Sequence, residues 1–144
     1  MQRESERELW TALGKHRYRV TDEQIHLHTG GEFTPQDARG LMDLLDALRA
    51  SSPGLVLLFN TEGGLSAPAA TRRVFVERSQ SAHRTVPTAV VGTGMVTRTL
   101  FRLTLDAARR FTGRDFQIEF FASTDQALAW LRVIQGAIRT AGST

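Results

Sequence analysis

The 144-residue sequence predicts a single α/β domain with a mostly parallel β-sheet, an antiparallel N-terminal hairpin and the order β-β-α-β-α-β-α-β-α. Three observations carry that prediction. Two runs, 55–59 and 86–91, are too short for stable helices and apolar on both sides, the pattern of strands buried on both faces of a sheet. Amphipathic stretches of helical length separate the strand-like runs, and strands alternating with such helices pair in parallel through crossover connections. Before the first helix, apolar and polar residues alternate singly, the period of a half-buried hairpin.

Residues 1–14 read as a polar lead-in or frayed helix whose Leu9, Trp10 and Leu13 dock one side onto the body. Tyr18 and Val20 stand two apart, Asp22-Glu23 supply a turn, and Ile25 and Leu27 alternate with Gln24, His26 and His28. Thr34-Pro35-Gln36-Asp37 then gives a hydroxyl cap, a proline at the first helical position and a carboxylate in the first turn, where the helix dipole favours it. Ala38, Leu41, Met42, Leu45 and Leu48 recur at three and four residues and form the inward stripe of that helix. A second helix is expected over 66–81, with Val74 and Phe75 inward and Arg72, Arg73, Glu77 and Arg78 largely outward. Pro87 sits near the start of its strand, where a missing N–H is tolerated. Gly92-Thr93-Gly94 leads into a third helix over 95–111, and 116–121 alternates as an edge strand does. Ser123-Thr124-Asp125 caps the last helix, whose core stripe is Ala127, Leu128, Leu131, Ile134 and Ala137, with Trp130 offset toward an edge. The domain is expected over 16–138, with 1–15 as lead-in and 139–144 as a loose tail.

Composition narrows the function classes. The chain carries 18 basic and 15 acidic residues for a net charge of +3, and all the bases but Lys15 are arginine. Because arginine stays protonated to very high pH, that small surplus alone raises the pI to about 10.5 without creating a strong field. With no cysteine, thiol catalysis, disulfides and thiolate metal sites are excluded. No apolar run reaches the roughly 20 residues of a membrane-spanning helix, and the charged start does not read as a signal peptide, so a cytoplasmic location is expected.

The opening hairpin, the Thr34-Pro35-Gln36-Asp37-Ala38 helix start and the closing Thr124-Asp125-Gln126-Ala127-Leu128-Ala129-Trp130-Leu131 together resemble the SpoIIAA-like branch of the STAS/Sec14-like domains over roughly residues 16–135. That resemblance implies a bacterial, non-enzymatic signalling module acting through protein–protein contacts, as anti-sigma-factor antagonists do. In the Sec14-like direction it implies a carrier or sensor of an apolar, lipid-like ligand. The antagonists' switch is a serine or threonine at the start of the second α/β helix, in a motif like Asp-Ser-Ser-Gly-Leu. Here the stretch is Asn60-Thr61-Glu62-Gly63-Gly64-Leu65-Ser66, which lacks the motif and leaves Ser66 as the candidate phosphorylation position. A helix N-terminus accepts added negative charge, and the plain alternative is that Ser66 is an ordinary cap.

The loops after the two apolar runs lie at carboxyl ends of parallel strands, the edge where α/β sheets hold ligands and partners. The expected partner surface is therefore Gly63, Gly64, Leu65 and Ser66 with Arg72, Arg73, Arg98 and Arg102 on the adjoining helices. The partner is another protein, self-association being a further possibility, and the arginines without interleaved aromatic platforms do not read as a nucleic-acid surface. For the apolar-ligand alternative, Val96, Leu100, Phe101 and Leu103 are the expected lining. Gly92-Thr93-Gly94 lacks the third glycine of a dinucleotide fingerprint, so no cofactor is expected. His26 and His28 share a strand face but have no third ligand at a readable spacing, so no metal is expected; His16 and His83 have no readable partner, and no catalytic residues are assigned.

Overall fold

The computed structural model describes residues 10–80, 85–92, 94–112 and 117–142, with all side chains in those ranges except those of Gln80, Val96, Thr97, Leu100, Phe111 and Thr112. The strands are β1 (Thr11–Leu13), β2 (His16–Thr21), β3 (Gln24–His28), β4 (Gly31–Glu32), β5 (Val56–Asn60), β6 (Leu65–Ser66), β7 (Thr88–Val91) and β8 (Ile118–Phe121). The helices are α1 (Pro35–Arg49), α2 (Ala69–Gln80), α3 (Met95–Thr112) and α4 (Thr124–Gly142).

Six strands form one sheet in the order β1-β2-β3-β5-β7-β8, and β4 pairs with β6 in a two-residue ribbon beside it. The first three strands are antiparallel neighbours, whereas β3, β5, β7 and β8 run parallel, with Leu58 opposite Ala89 at the centre. The two apolar runs are thus adjacent parallel strands, as their composition requires. Sheet order advances in one direction while α1, α2 and α3 return on a single face, so the three crossovers share one hand.

The lead-in departs from expectation: Thr11–Leu13 is a strand paired with β2, not part of a frayed helix. Its three residues have too little pattern to show a period, and only the partner strand makes them β. Between β2 and β3, Asp22 and Glu23 both take positive φ (49° and 61°), the geometry of a type I′ hairpin turn. Neighbours hold this uncommon conformation in place. The Glu23 carboxylate accepts from the Gly54 amide at 2.8 Å and from Arg139 at 3.2 Å, while Gln135 donates to the Asp22 carbonyl at 3.0 Å. Arg139 belongs to α4, which continues to Gly142 rather than ending near 138.

Side-chain alternation divides the core into two layers. Ile25, Leu27, Leu57, Phe59 and Val90 face α1, α2 and α3 and pack with Phe33, Leu41, Leu45 and Val74. On the other face Val56, Leu58, Ala89 and Val91 meet Ala127 and Leu131 of α4. The second layer is thin because small residues let α4 approach the strands closely. Trp130 packs there against Phe121 of the edge strand, with ring centroids 5.6 Å apart.

The capping reading of α1 holds in full. Thr34 Oγ1 accepts from the Asp37 amide and Asp37 Oδ2 accepts from the Thr34 amide, each at 3.0 Å, a reciprocal capping box with Pro35 in the first turn. Ser123 likewise accepts from Gln126 at the start of α4. By contrast α2 begins at Ala69, so Ser66 is not its cap; Arg72 closes the first turn onto the Pro68 carbonyl. Pro68 disfavours the helical conformation at Ala67, and 65–66 pair with β4 instead. Arg78 ties α2 to α1 through Asp43 (2.7 Å) and Asp46 (2.8 Å), and those carboxylates raise its guanidinium above its usual range.

Candidate functional site

The carboxyl ends of β3, β5 and β7 deliver three loops to one edge, and the segment 61–68 lies across the middle of it. Its backbone is tied down from several sides. Thr61 donates both its amide and its hydroxyl to the Val91 carbonyl at 2.8 Å, and Gly64 closes a turn onto Thr61 at 2.9 Å. Asn60 Oδ1 accepts from the Glu62 amide at 2.9 Å. Thr29 Oγ1 and the Gly31 amide both donate to the Gly64 carbonyl, at 2.6 and 3.1 Å, and the Phe33 amide donates to the Ser66 carbonyl at 2.8 Å. Arg72 Nη1 then braces the far end on the Ala67 carbonyl at 2.7 Å.

Two glycines make the close approach possible. A side chain at Gly63 would overlap the Thr29 carbonyl, and one at Gly92, where φ is +83°, would run into Glu62, its Cγ first and then its backbone. The inner surface of the loop is therefore packed on backbone, while Glu62, Gly63, Gly64, Ser66 and Pro68 remain exposed outward. A surface held from beneath and open above loses little conformational freedom when something binds it.

The expected arginines divide into two groups. Arg72 is half-buried and turned toward the β6 side of the helical layer, where it braces the loop. Arg98 lies toward the opposite side, its guanidinium 5.5 Å from the Phe120 ring centroid on β8. Arg73 and Arg102 are exposed. Leu103 is 57% exposed and turned away from the core, whereas Phe101 points inward between Phe59 and Phe120, at 5.5 and 6.0 Å. Side chains of Val96 and Leu100 fall outside the described residues, as do Thr93 and His83.

An apolar cavity of about 170 Å³, partly open to solvent, lies beneath α2, between the three crossover helices and the sheet. Of the four residues expected to line an apolar pocket, Phe101 is found there and Leu103 is not. Leu65 and Ala67, which flank Ser66, contribute to its wall.

Sequence reasoning missed a buried pair at this edge. His16 Nδ1 accepts from the Gly30 amide at 2.9 Å, which leaves the proton on Nε2, facing Asp37 Oδ2 and the Glu32 carbonyl at 3.2 Å each. Both nitrogens are thereby engaged, so the His–Asp geometry fastens β2, β4 and the start of α1 together and has no ring nitrogen available as a base. A separation of 21 positions between the partners leaves no spacing signal.

On the α4 face, beyond the reach of α4 itself, Trp10 lies over the first strands. Arg17 and Arg19 stack on its ring at 4.6 and 5.1 Å, and His28 meets it edge-on at 4.8 Å. His26 is buried, with Nε2 donating to Gln24 Oε1 at 2.9 Å. Burial first, then the charges of Arg19 and His28, push its pKa down to about 4; burial and the two arginines lower His28 in the same direction against the opposing pull of Glu62. Such surroundings repel a metal cation, and no cluster of three or more potential ligands occurs among the described residues.

The depressed pKa of His26 sets a pH dependence. Between about pH 6.5 and 4 the unfolded chain binds a proton at this ring that the folded chain does not, so stability is full above that window and is lost as pH falls through it. With solvent screening taken into account the loss is about 1–3 kcal/mol. Urea melts of the wild-type protein and His26→Gln at pH 7.5 and 4.5 measure it; equal losses in both proteins would contradict the assignment.

The fold defines a class. The chain has the SpoIIAA/STAS-like α/β architecture, and it is similar in structure to a candidate anti-sigma factor antagonist from Thermotoga maritima, with a TM-score of 0.51 and 17% sequence identity over 80% of this chain and 92% of that one. No family model and no curated protein matches the sequence. No helix among the described residues is long and apolar enough to cross a membrane.

Proposed function

We propose that this chain is a non-catalytic regulatory module of bacterial cytoplasmic signalling that binds another protein through the 61–68 loop and the adjoining ends of α2 and α3. The observation that carries the reading is the construction of that loop: backbone hydrogen bonds fasten its underside to three strand ends, and its outer surface is exposed. Similarity in fold to a candidate anti-sigma factor antagonist supports it. Ser66 is exposed on the ribbon strand, within reach of a kinase, and remains the candidate modification position.

Photo-crosslinking in the native host tests the reading, with benzoylphenylalanine at position 66 and, as a control, at exposed Ser51 on the opposite edge. A polypeptide adduct is expected from 66 and not from 51. No adduct from 66, or the same adducts from both positions, would refute the docking edge, and an adduct to a second copy of the chain would turn the reading to self-association.

A second reading, a carrier or sensor of an apolar ligand, is favoured by one observation, the cavity beneath α2.

A further inference from the structure

We propose that the cavity beneath α2 is a binding site for a small uncharged apolar molecule of about six to ten carbon atoms. The inference rests on the second reading above and narrows it from lipid-like ligands to a size and charge class.

Size comes from volume. An apolar cavity of about 150 Å³ accommodates benzene, so about 170 Å³ with one open side takes a body of that size or slightly longer. A two-chain lipid does not fit such a space. Phe59 and Phe101, two of the rings around it, pack edge-to-face at 5.5 Å, and Phe33 stacks on Phe75 at 6.0 Å. Rings propped against one another in this way keep the helices apart and prevent the gap from closing.

Charge comes from the lining. Arg49 and Arg72 are the charged residues there; Arg49 Nη1 donates to Asp46 at 2.6 Å and Arg72 Nη1 to the Ala67 carbonyl at 2.7 Å, and the rest of the wall is mainly apolar. Two of the wall hydroxyls are satisfied locally, Ser79 by the Phe75 carbonyl at 2.6 Å and Thr88 by the Val86 carbonyl at 3.0 Å. Water inside would find few partners against a wall built mainly of leucine, methionine and phenylalanine side chains, so the wall selects apolar bodies.

The sequence keeps the space open at one position in particular. Ala108 is 5% exposed on the inward face of α3 and lines the cavity, where leucine would fill much of it. Apolar space left empty destabilises a core, so a chain that retains it at an alanine departs from the best packing.

The test is a ¹H–¹³C methyl NMR titration of the full chain with toluene, alongside decanoate and phosphatidylcholine vesicles, on the wild-type protein and on Ala108→Leu and Ala108→Val. Toluene is expected to shift the Leu45, Leu57 and Ala108 methyls saturably, with affinity reduced at least tenfold in Ala108→Leu and less in Ala108→Val, while both variants keep wild-type melting temperatures or higher. The milder valine variant keeps the comparison valid if leucine perturbs folding. Absence of saturable shifts, or unchanged affinity in both variants, overturns the site. Binding of decanoate or lipid without toluene overturns the size and charge class but leaves the apolar-ligand reading standing; silence of all three probes ends both.

Discussion

Phe33→Ala is expected to lower the unfolding free energy by roughly 3–5 kcal/mol. Phe33 is 1% exposed although it lies in the connection between β4 and α1, outside any regular element. Its ring touches three parts of the structure: it tilts against His16 at 4.6 Å and Phe59 at 5.9 Å and stacks on Phe75 at 6.0 Å. Its backbone adds a fourth, donating to Ser66, and fastens α2 again by accepting from Thr71 Oγ1 at 2.7 Å. Truncation removes the ring's transfer free energy and merges the vacated volume with the cavity it borders, so the surroundings cannot collapse to fill it. Since most domains have about 5–15 kcal/mol in total, a large share of the stability goes with one side chain. Urea denaturation measures the change, and a loss below about 1 kcal/mol would show that the site repacks.

The second large effect is expected at the loop. Gly63→Ala places a methyl group on the Thr29 carbonyl oxygen, and neither partner is a flexible side-chain end that can swing aside. Relief requires the 61–68 backbone to lift, which strains the Thr29 and Gly31 hydrogen bonds to the Gly64 carbonyl. The expected destabilisation is about 2–4 kcal/mol, from overpacking together with weakened buried hydrogen bonds. Gly136→Ala is the matched control. Nothing lies within 4 Å of a side chain added there in mid-helix, so that change is expected to stabilise by about 0.5–1 kcal/mol. Thermal melts of the two variants should move in opposite directions; a shared direction would mean that glycine content, not the contact with Thr29, sets the response.

Much of the fold was legible because local signals and global packing agree. The two apolar runs read as central strands since both faces of each are covered, and the Thr34–Asp37 capping pattern is complete within four residues. What escaped was decided at long range. Thr11–Leu13 becomes a strand only through β2, and the β4–β6 ribbon joins two-residue segments from separate loops. Ser66 has the chemistry of a helix cap, but pairing of Leu65–Ser66 with β4 and the following Pro68 delay the helix to Ala69. The proposed docking edge follows from topology alone. Its clamping has no sequence signal, because it depends on hydrogen bonds between chain segments about 30 residues apart. Similarly, periodicity identified the inward stripe of α1 and the apolar residues of α2 and α3 but carried no information on how tightly they would interdigitate over the strands.

The four helices are unequally anchored. Helix α4 drives a stripe of small and branched residues close against the strands, whereas α2 offers few apolar side chains, chiefly Val74, Phe75 and Val76, and depends on Thr71, Arg72 and Arg78 for the rest of its attachment. Free energy of local opening follows buried apolar contact. Helix α2 is accordingly expected to open locally at a lower free-energy cost than the central strands, so deuterium should enter its amides before those of β5 or β7.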